Sequence, residues 1–102
     1  MIHALFNKRM KEVMMPRFMV THTMSNSEEA LVKSAKEDAP KFSEAGVTWV
    51  RTYCDFDGNK FFCEWEAPNK EAIEKIFKDA NFPFDDIYPV RLFDVATAKL
   101  ED

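Results

Sequence analysis

Basic charge, glycine, cysteine and histidine are all scarce in this sequence, and each scarcity closes off a class of function. Lys and Arg number 14 against 18 Asp and Glu, a net charge of −4. Nucleic-acid binding draws on clustered cations that displace counterions, and here the cations are scattered among acids. With two glycines in 102 residues there is no Gly-rich phosphate loop, and no nucleophile motif or spaced His/Cys cluster accompanies them. No apolar run reaches the ~18 residues that a membrane-crossing helix needs. The hydrophobic N-terminal stretch is interrupted by Lys8, Arg9, Lys11 and Glu12, so it lacks a signal-peptide core and points to a cytoplasmic protein. In that compartment the two cysteines, Cys54 and Cys63, are expected as reduced, partly buried thiols rather than as a disulfide.

What the chain has in quantity is aromatic surface: ten Phe, two Trp and two Tyr. A chain of this length makes one domain. So many large apolar side chains imply a second buried surface besides the core. The most informative stretch runs from Val47 to Pro68. Two runs rich in β-branched and aromatic residues flank Asp57-Gly58-Asn59, whose turn chemistry makes them the arms of a β-hairpin.

Reading outward from that hairpin orders the rest. Residues 1–15 carry Ile2, Leu5, Phe6, Met10 and Val13 on roughly one helical face and are read as a helical appendage, an add-on helix without function in preference to a docking helix or leader sequence ahead of a start at Met15. The remaining domain spans residues 16–102. Arg17 to Met24 alternates as a strand, with Phe18, Val20 and His22 on one side and Met19, Thr21 and Thr23 on the other. Ser25, Asn26 and Ser27 are N-cap candidates for a helix with Glu28 and Glu29 in its first turn, broken near Asp38 by Pro40 and closed by Gly46. After the hairpin, Asn69 caps a second helix whose inner face is Ala72, Ile73, Ile76, Phe77 and Ala80; Asn81 and Pro83 end it. Ile87 to Val95 is the last strand, placed at an edge by Pro89, and residues 96–102 are a polar tail.

The order β-α-β-β-α-β is that of an α+β ferredoxin-like sandwich: a four-stranded antiparallel sheet of spatial order 4-1-3-2 with both helices on one face. The other face is left bare in a monomer, so a homodimer is expected to cover it. A two-residue turn at Asp57-Gly58 would pair Tyr53 with Phe62, Arg51 with Glu64 and Trp49 with Glu66. One face then carries Trp49, Arg51, Tyr53, Phe62, Glu64 and Glu66, and the apolar Val50, Thr52, Cys54, Phe61, Cys63 and Trp65 meet the helices. A bulge would change that pairing.

The plainer reading of Arg51 and Glu64 is a cross-strand ion pair worth about 0.2–1 kcal/mol. The sharper one is a ligand pocket on the free face, floored by Trp49, Tyr53 and Phe62, with His22, Arg51, Glu64 and Arg91 as its polar groups. His22 is the one histidine within the expected domain, and a metal there would need further ligands, with Glu64 a candidate. The acidic pair Asp85-Asp86 reads as solvated, and Phe82-Pro83-Phe84 as a hydrophobic plug.

Several segments together resemble one family: Pro16 to His22, Gly46-Val47 with Trp49 and Tyr53, Phe62 to Ile73 with its Cys-x-Trp-Glu-Ala-Pro step, and Asp86 to Val90. They look like a family of small bacterial ferredoxin-like proteins that includes a nickel-binding member. The resemblance implies a dimeric α+β sandwich and, in some members, nickel or a similar divalent ion held by histidine and acidic residues. His22 stands at the strand-one position where metal-binding relatives carry histidine. The second histidine that such relatives often have near the end of helix two is replaced by the run Lys78 to Phe82, and Glu64 stands where relatives often have an aliphatic residue. The leading expectation is a non-catalytic, homodimeric binding protein. Two alternatives stand beside it. One is a cofactor-independent oxygenase- or isomerase-like enzyme with His22 as base and Arg51 or Arg91 at an oxyanion. The other is a purely structural or interaction module.

Overall fold

A computed structural model describes residues 15–101 of the chain. The expected appendage therefore lies outside the described residues apart from Met15. Nine elements follow in order: β1 (Arg17–Thr23), α1 (Glu28–Glu37), α2 (Ala39–Glu44), β2 (Thr48–Asp55), β3 (Lys60–Glu66), α3 (Lys70–Asp79), β4 (Asp86–Val90), β5 (Leu92–Asp94) and β6 (Lys99–Glu101). The first four strands to enter a common sheet stand in the order β2-β3-β1-β4, all antiparallel. This α+β arrangement has the expected strand order, with β2 and Pro89-bearing β4 at the edges.

Local chemistry accounts for the helix ends. The Ser27 hydroxyl accepts from the Ala30 amide at 3.1 Å, and the Asn69 side chain accepts from the Ala72 amide at 2.9 Å, each satisfying a donor that the first turn leaves over. Pro40 falls in the first turn of α2, where its missing N–H costs nothing, so the expected break near Asp38 divides the first helical segment into α1 and α2. Gly46 has a φ of +85°, which a side chain would disfavour, and it delivers the chain into β2. Asn81, with φ +53°, does the same service after α3.

The core lies between the sheet and the helices. Phe18, Val20, Cys63, Trp65 and Ile87 project from one sheet face onto Ile73, Ile76 and Phe77 of α3. By contrast α1 buries no residue fully. The residues that α1 turns towards the sheet, Leu31 and Ser34, are only half-buried, and the layer above the sheet is correspondingly loose at that end.

Three features depart from expectation. The register Arg51 with Glu64 and Tyr53 with Phe62 is as expected, but a bulge between Trp49 and Arg51 sets Trp49 opposite Trp65 instead of Glu66. The extra residue, Val50, reverses the side on which Trp49 emerges, so its indole stacks on Trp65 (centroids 6.1 Å apart, planes 16° apart) on the helix side. Second, the hairpin loop is four residues long, closed by the pair Asp55–Lys60, and its left-handed residue is Asn59 (φ +55°) rather than Gly58. Gly58 is needed for another reason: the Asp55 carboxylate accepts from its amide at 2.9 Å and occupies the space a Cβ would fill. Third, the expected last strand is interrupted at Arg91. Leu92–Asp94 pairs instead with Lys99–Glu101 as a separate two-stranded hairpin, turned through Ala98 at φ +56° and tied by Asp94 Oδ1 to the Ala96 amide. The tail contains none of the usual Asn-Gly or Asp-Gly signals, so sequence pattern had nothing to mark that turn.

Candidate functional site

Beneath the loose end of the helix layer lies a half-open cavity of about 440 Å³. From the sheet side it is walled by His22, Trp49, Thr52, Phe61, Cys63 and Trp65. Each is a consequence of strand alternation, with the Val50 bulge adding Trp49. From the helix side come Leu31 and Ser34 of α1, Phe42 of α2 and Phe77 of α3, with Phe82 from the segment after α3. Asn26, Asp38 and Lys41 supply polar groups to the same wall. Aromatic rings dominate. Trp65 meets Phe77 edge-on at 5.3 Å and Phe42 at 5.6 Å, arrangements in which ring edges and faces attract.

His22 is 3 % exposed and lies among these rings, edge-on to Phe77 at 5.3 Å and to Phe82 at 5.4 Å. Its Nδ1 is 2.9 Å from the Pro83 carbonyl oxygen. A carbonyl only accepts, so Nδ1 carries the hydrogen and donates, leaving Nε2 with a free lone pair. Burial pushes the imidazole below its ordinary pKa of 6.5, partly offset by the Pro83 bond and by the charge of Asp85, while Lys60 lowers it further. The neutral form is thus the resident one at neutral pH. Asp85 itself is held below the usual carboxylate range by the Thr23 hydroxyl at 2.6 Å and by the Lys60 ammonium at 2.9 Å.

Two further polar groups lie in the wall. The Trp49 indole donates to Thr52 Oγ1 at 2.7 Å, and that hydroxyl donates in turn to Cys63 Sγ at 3.1 Å. Burial pushes the Cys63 thiol up to about 11, so it is a protonated, unreactive thiol at neutral pH. Both cysteines are free, Cys54 exposed and Cys63 buried. The Trp65 indole N–H is the exception: the residue is 2 % exposed, and its nitrogen finds no acceptor among the described residues.

The opposite sheet face is a separate environment. Glu64 is 8 % exposed there, with Arg17 Nε at 3.4 Å from one carboxylate oxygen and Arg51 Nε at 3.7 Å from the other. Around this trio stand the exposed rings of Tyr53, Phe62 and Tyr88.

The sheet therefore divides the residues that sequence patterning had gathered into one pocket. Arg51, Tyr53, Phe62 and Glu64 share the free face. His22 and Trp49 project to the other side, His22 by the simple parity of β1 and Trp49 by the bulge. Arg91 is exposed at the break between β4 and β5. His22 and Glu64 consequently do not converge on one ion, nor His22 and Arg51 on one substrate, because the sheet stands between them. Among the described residues no group of three or more His, Cys, Asp or Glu is placed to hold a metal ion. Of the residues that sequence reasoning assigned only to packing, Phe77 and Phe82 are the rings against His22, and Trp65 lines the same cavity. Arg17 was legible once β1 was known to lie beside β3, since Arg17 and Glu64 are then same-face diagonal neighbours. No helix among the described residues is long and apolar enough to cross a membrane.

Comparison with known proteins bears on this geometry. The model of the family described as nickel responsive protein SCO4226-like matches residues 18–90. Among solved structures, the crystal structure of SCO4226 from Streptomyces coelicolor A3(2) is similar at a TM-score of 0.64 and 22 % identity, covering 74 % of this chain and 96 % of that one. No curated protein sequence matches.

Proposed function

Because the chain belongs to the family of SCO4226-like nickel responsive proteins, we propose that it is a non-catalytic binding protein of ferredoxin-like fold. On this reading it works as a homodimer in a response to nickel or a similar divalent ion, and it holds its ligand in the cavity beneath the helices. The observation that carries this reading is the buried, neutral imidazole of His22 in the wall of a cavity of about 440 Å³, with Nδ1 engaged by the Pro83 carbonyl. That is the arrangement in which metal-ligating histidines are usually held, one nitrogen tied to a backbone acceptor and the other presented.

The donor set sets a limit. One described chain offers that single prepared nitrogen, and Cys63, the nearest softer donor in the same wall, is protonated. A nickel ion held at His22 would therefore need to complete its shell with water or with a small chelating molecule in the same cavity. Volume favours the second, since 440 Å³ is within the roughly 300–1,000 Å³ of small-molecule sites. The free face supports the homodimer: Tyr53 and Phe62 are exposed cross-strand partners on it, and Tyr88 is exposed on the same face beyond β1.

Calorimetric titration of purified protein with nickel, zinc, cobalt and copper tests the metal part. Nickel is expected to bind with a Kd below about 0.1 mM, and His22→Ala to weaken it at least ~tenfold, the loss expected when a nitrogen ligand is removed. No binding in that range, or equal binding by the variant, removes His22 as the anchor.

A further inference from the structure

We propose that the β5–β6 hairpin is a clasp, laying Phe93, Val95 and Leu100 on the free sheet face of a second copy of this chain. This inference rests on the proposed homodimer and names the element that completes its interface. Every residue from Arg91 to Glu101 is exposed except the half-buried Asp94, and none belongs to the core. Two strands alone hold together only marginally in water; they ordinarily need a third strand or a surface beneath them. The hairpin lies beyond residues 18–90, which the family model matches, so it is an addition to the shared domain.

The hairpin has two unlike sides. Phe93 pairs with Leu100 across the strands, so both project from one face, and Val95 follows at the tip with 83 % of its surface open. The other face carries the pairs Leu92–Glu101 and Asp94–Lys99, in which Leu92 is the one uncharged member. Such alternation belongs to a strand pair that buries one side, yet here the apolar side meets water. Nor does it cover its own sheet, since Phe62 and Tyr88 of the same chain are exposed together with Phe93 and Leu100.

Area identifies the occupant. A half-exposed aromatic or large aliphatic side chain leaves on the order of 100 Å² open. Tyr53, Phe62 and Tyr88 then give the free face about 300 Å² of apolar surface. A standard interface buries about 800 Å² per partner, a little over half of it apolar, or roughly 450 Å². The free face alone falls short, and Phe93, Val95 and Leu100 add about 300 Å² more. The two patches adjoin: Tyr88 lies on β4, and the hairpin leaves the end of that strand through Arg91. A second copy offers both at once, each free face receiving the other copy's hairpin in an arrangement that a two-fold axis closes.

The test mixes isotope-labelled and unlabelled full-length protein in equal amounts and records nuclear Overhauser contacts between the two kinds of chain. Contacts are expected from the Val95 and Leu100 methyls to the rings of the partner's Tyr53, Phe62 or Tyr88. In sedimentation velocity, Phe93→Ser and Leu100→Ser should each raise the dimer dissociation constant at least ~tenfold, the loss that follows removal of an anchoring contact. The melting temperature of the dilute monomer should stay unchanged in both, because the two side chains are exposed there. If the wild type dimerises but its contacts leave the hairpin out, or the variants associate as tightly, the clasp is wrong and the homodimer stands. Hairpin contacts confined to residues 1–14 of the same molecule would overturn the clasp likewise, by revealing a different occupant. A wild type that stays monomeric at micromolar concentration removes the homodimer and the clasp with it. Because the contact spectrum reports on the unaltered protein, the outcome does not depend on either variant folding.

Discussion

Glu64 shows most clearly how a single side chain is held by its surroundings. Its carboxylate lies between Arg17, whose side chain is 22 % exposed, and Arg51, at 60 %. The Arg51 limb is well solvated and contributes little, whereas the Arg17 limb is shielded. Glu64→Gln keeps the shape and removes the charge, and is expected to cost about 1–2 kcal/mol in urea unfolding, with Arg51→Ala costing less than about 0.5 kcal/mol. Equal costs would show that exposure does not decide between the two limbs. His22 gives a pH signature. Its folded pKa is depressed below 6.5, so the unfolded chain takes up a proton more readily than the folded one. Stability is then fully present above about pH 6.5 and falls as pH drops below it, levelling once the folded pKa is passed. Denaturation curves between pH 8 and 5 should show that loss, and His22→Gln should flatten it; an unchanged slope in the variant would place the titration elsewhere. The His22 ring and its neighbours also show what a sequence conveys at this scale. That His22 shares a strand side with Phe18 and Val20 follows from alternation alone. That Pro83 would supply the acceptor for Nδ1 does not, since it depends on where the loop after α3 returns, 61 residues along the chain.

Among the elements, the helix ends were the most legible, because each depends on residues only a few positions apart. Ser27, Asn69, Pro40, Gly46 and Asn81 act where their side-chain chemistry puts them. Asn69→Ala is expected to destabilise the protein by about 1 kcal/mol by orphaning the Ala72 amide. Gly46→Ala should cost about 1–2 kcal/mol from forcing a side chain into the left-handed region, even though the space around it is open. Thermal and urea unfolding of the two variants would measure these costs, and a neutral Gly46→Ala would show that the turn can relax. The bulge at Val50 was not legible. Nothing in the run Thr48 to Asp55 marks where the ladder slips, because the slip is decided by the fit of Trp49 onto Trp65 across the strands. The β5–β6 hairpin was missed for a related reason: its turn residue, Ala98, has no special tolerance for φ +56° and is held there by the pairing on either side.

For the whole molecule, the expected strand order was recovered because hydrophobic alternation, helix periodicity and connection lengths all constrain the same topology. The location of the site was not recovered. Parity errors leave the fold intact but transfer a residue to the far side of the sheet, and a cavity is a property of imperfect packing that no residue pattern encodes. The proposed homodimer is tested by sedimentation velocity: wild type should sediment as a dimer at micromolar concentration, and Phe62→Glu, which adds a second carboxylate beside Glu64 on the free face, should shift it to monomer without lowering its helix content. A wild-type monomer at these concentrations would remove the homodimer.

The borders of the sheet decide how two copies can meet. On β2 the slipped residue at Val50 spoils the regular comb of amides and carbonyls, and on β4 an imino acid at position 89 withholds a donor. Neither margin offers a neighbour a clean template for lengthening the sheet. Copies that associate are therefore expected to lie flat against one another rather than to join edge to edge.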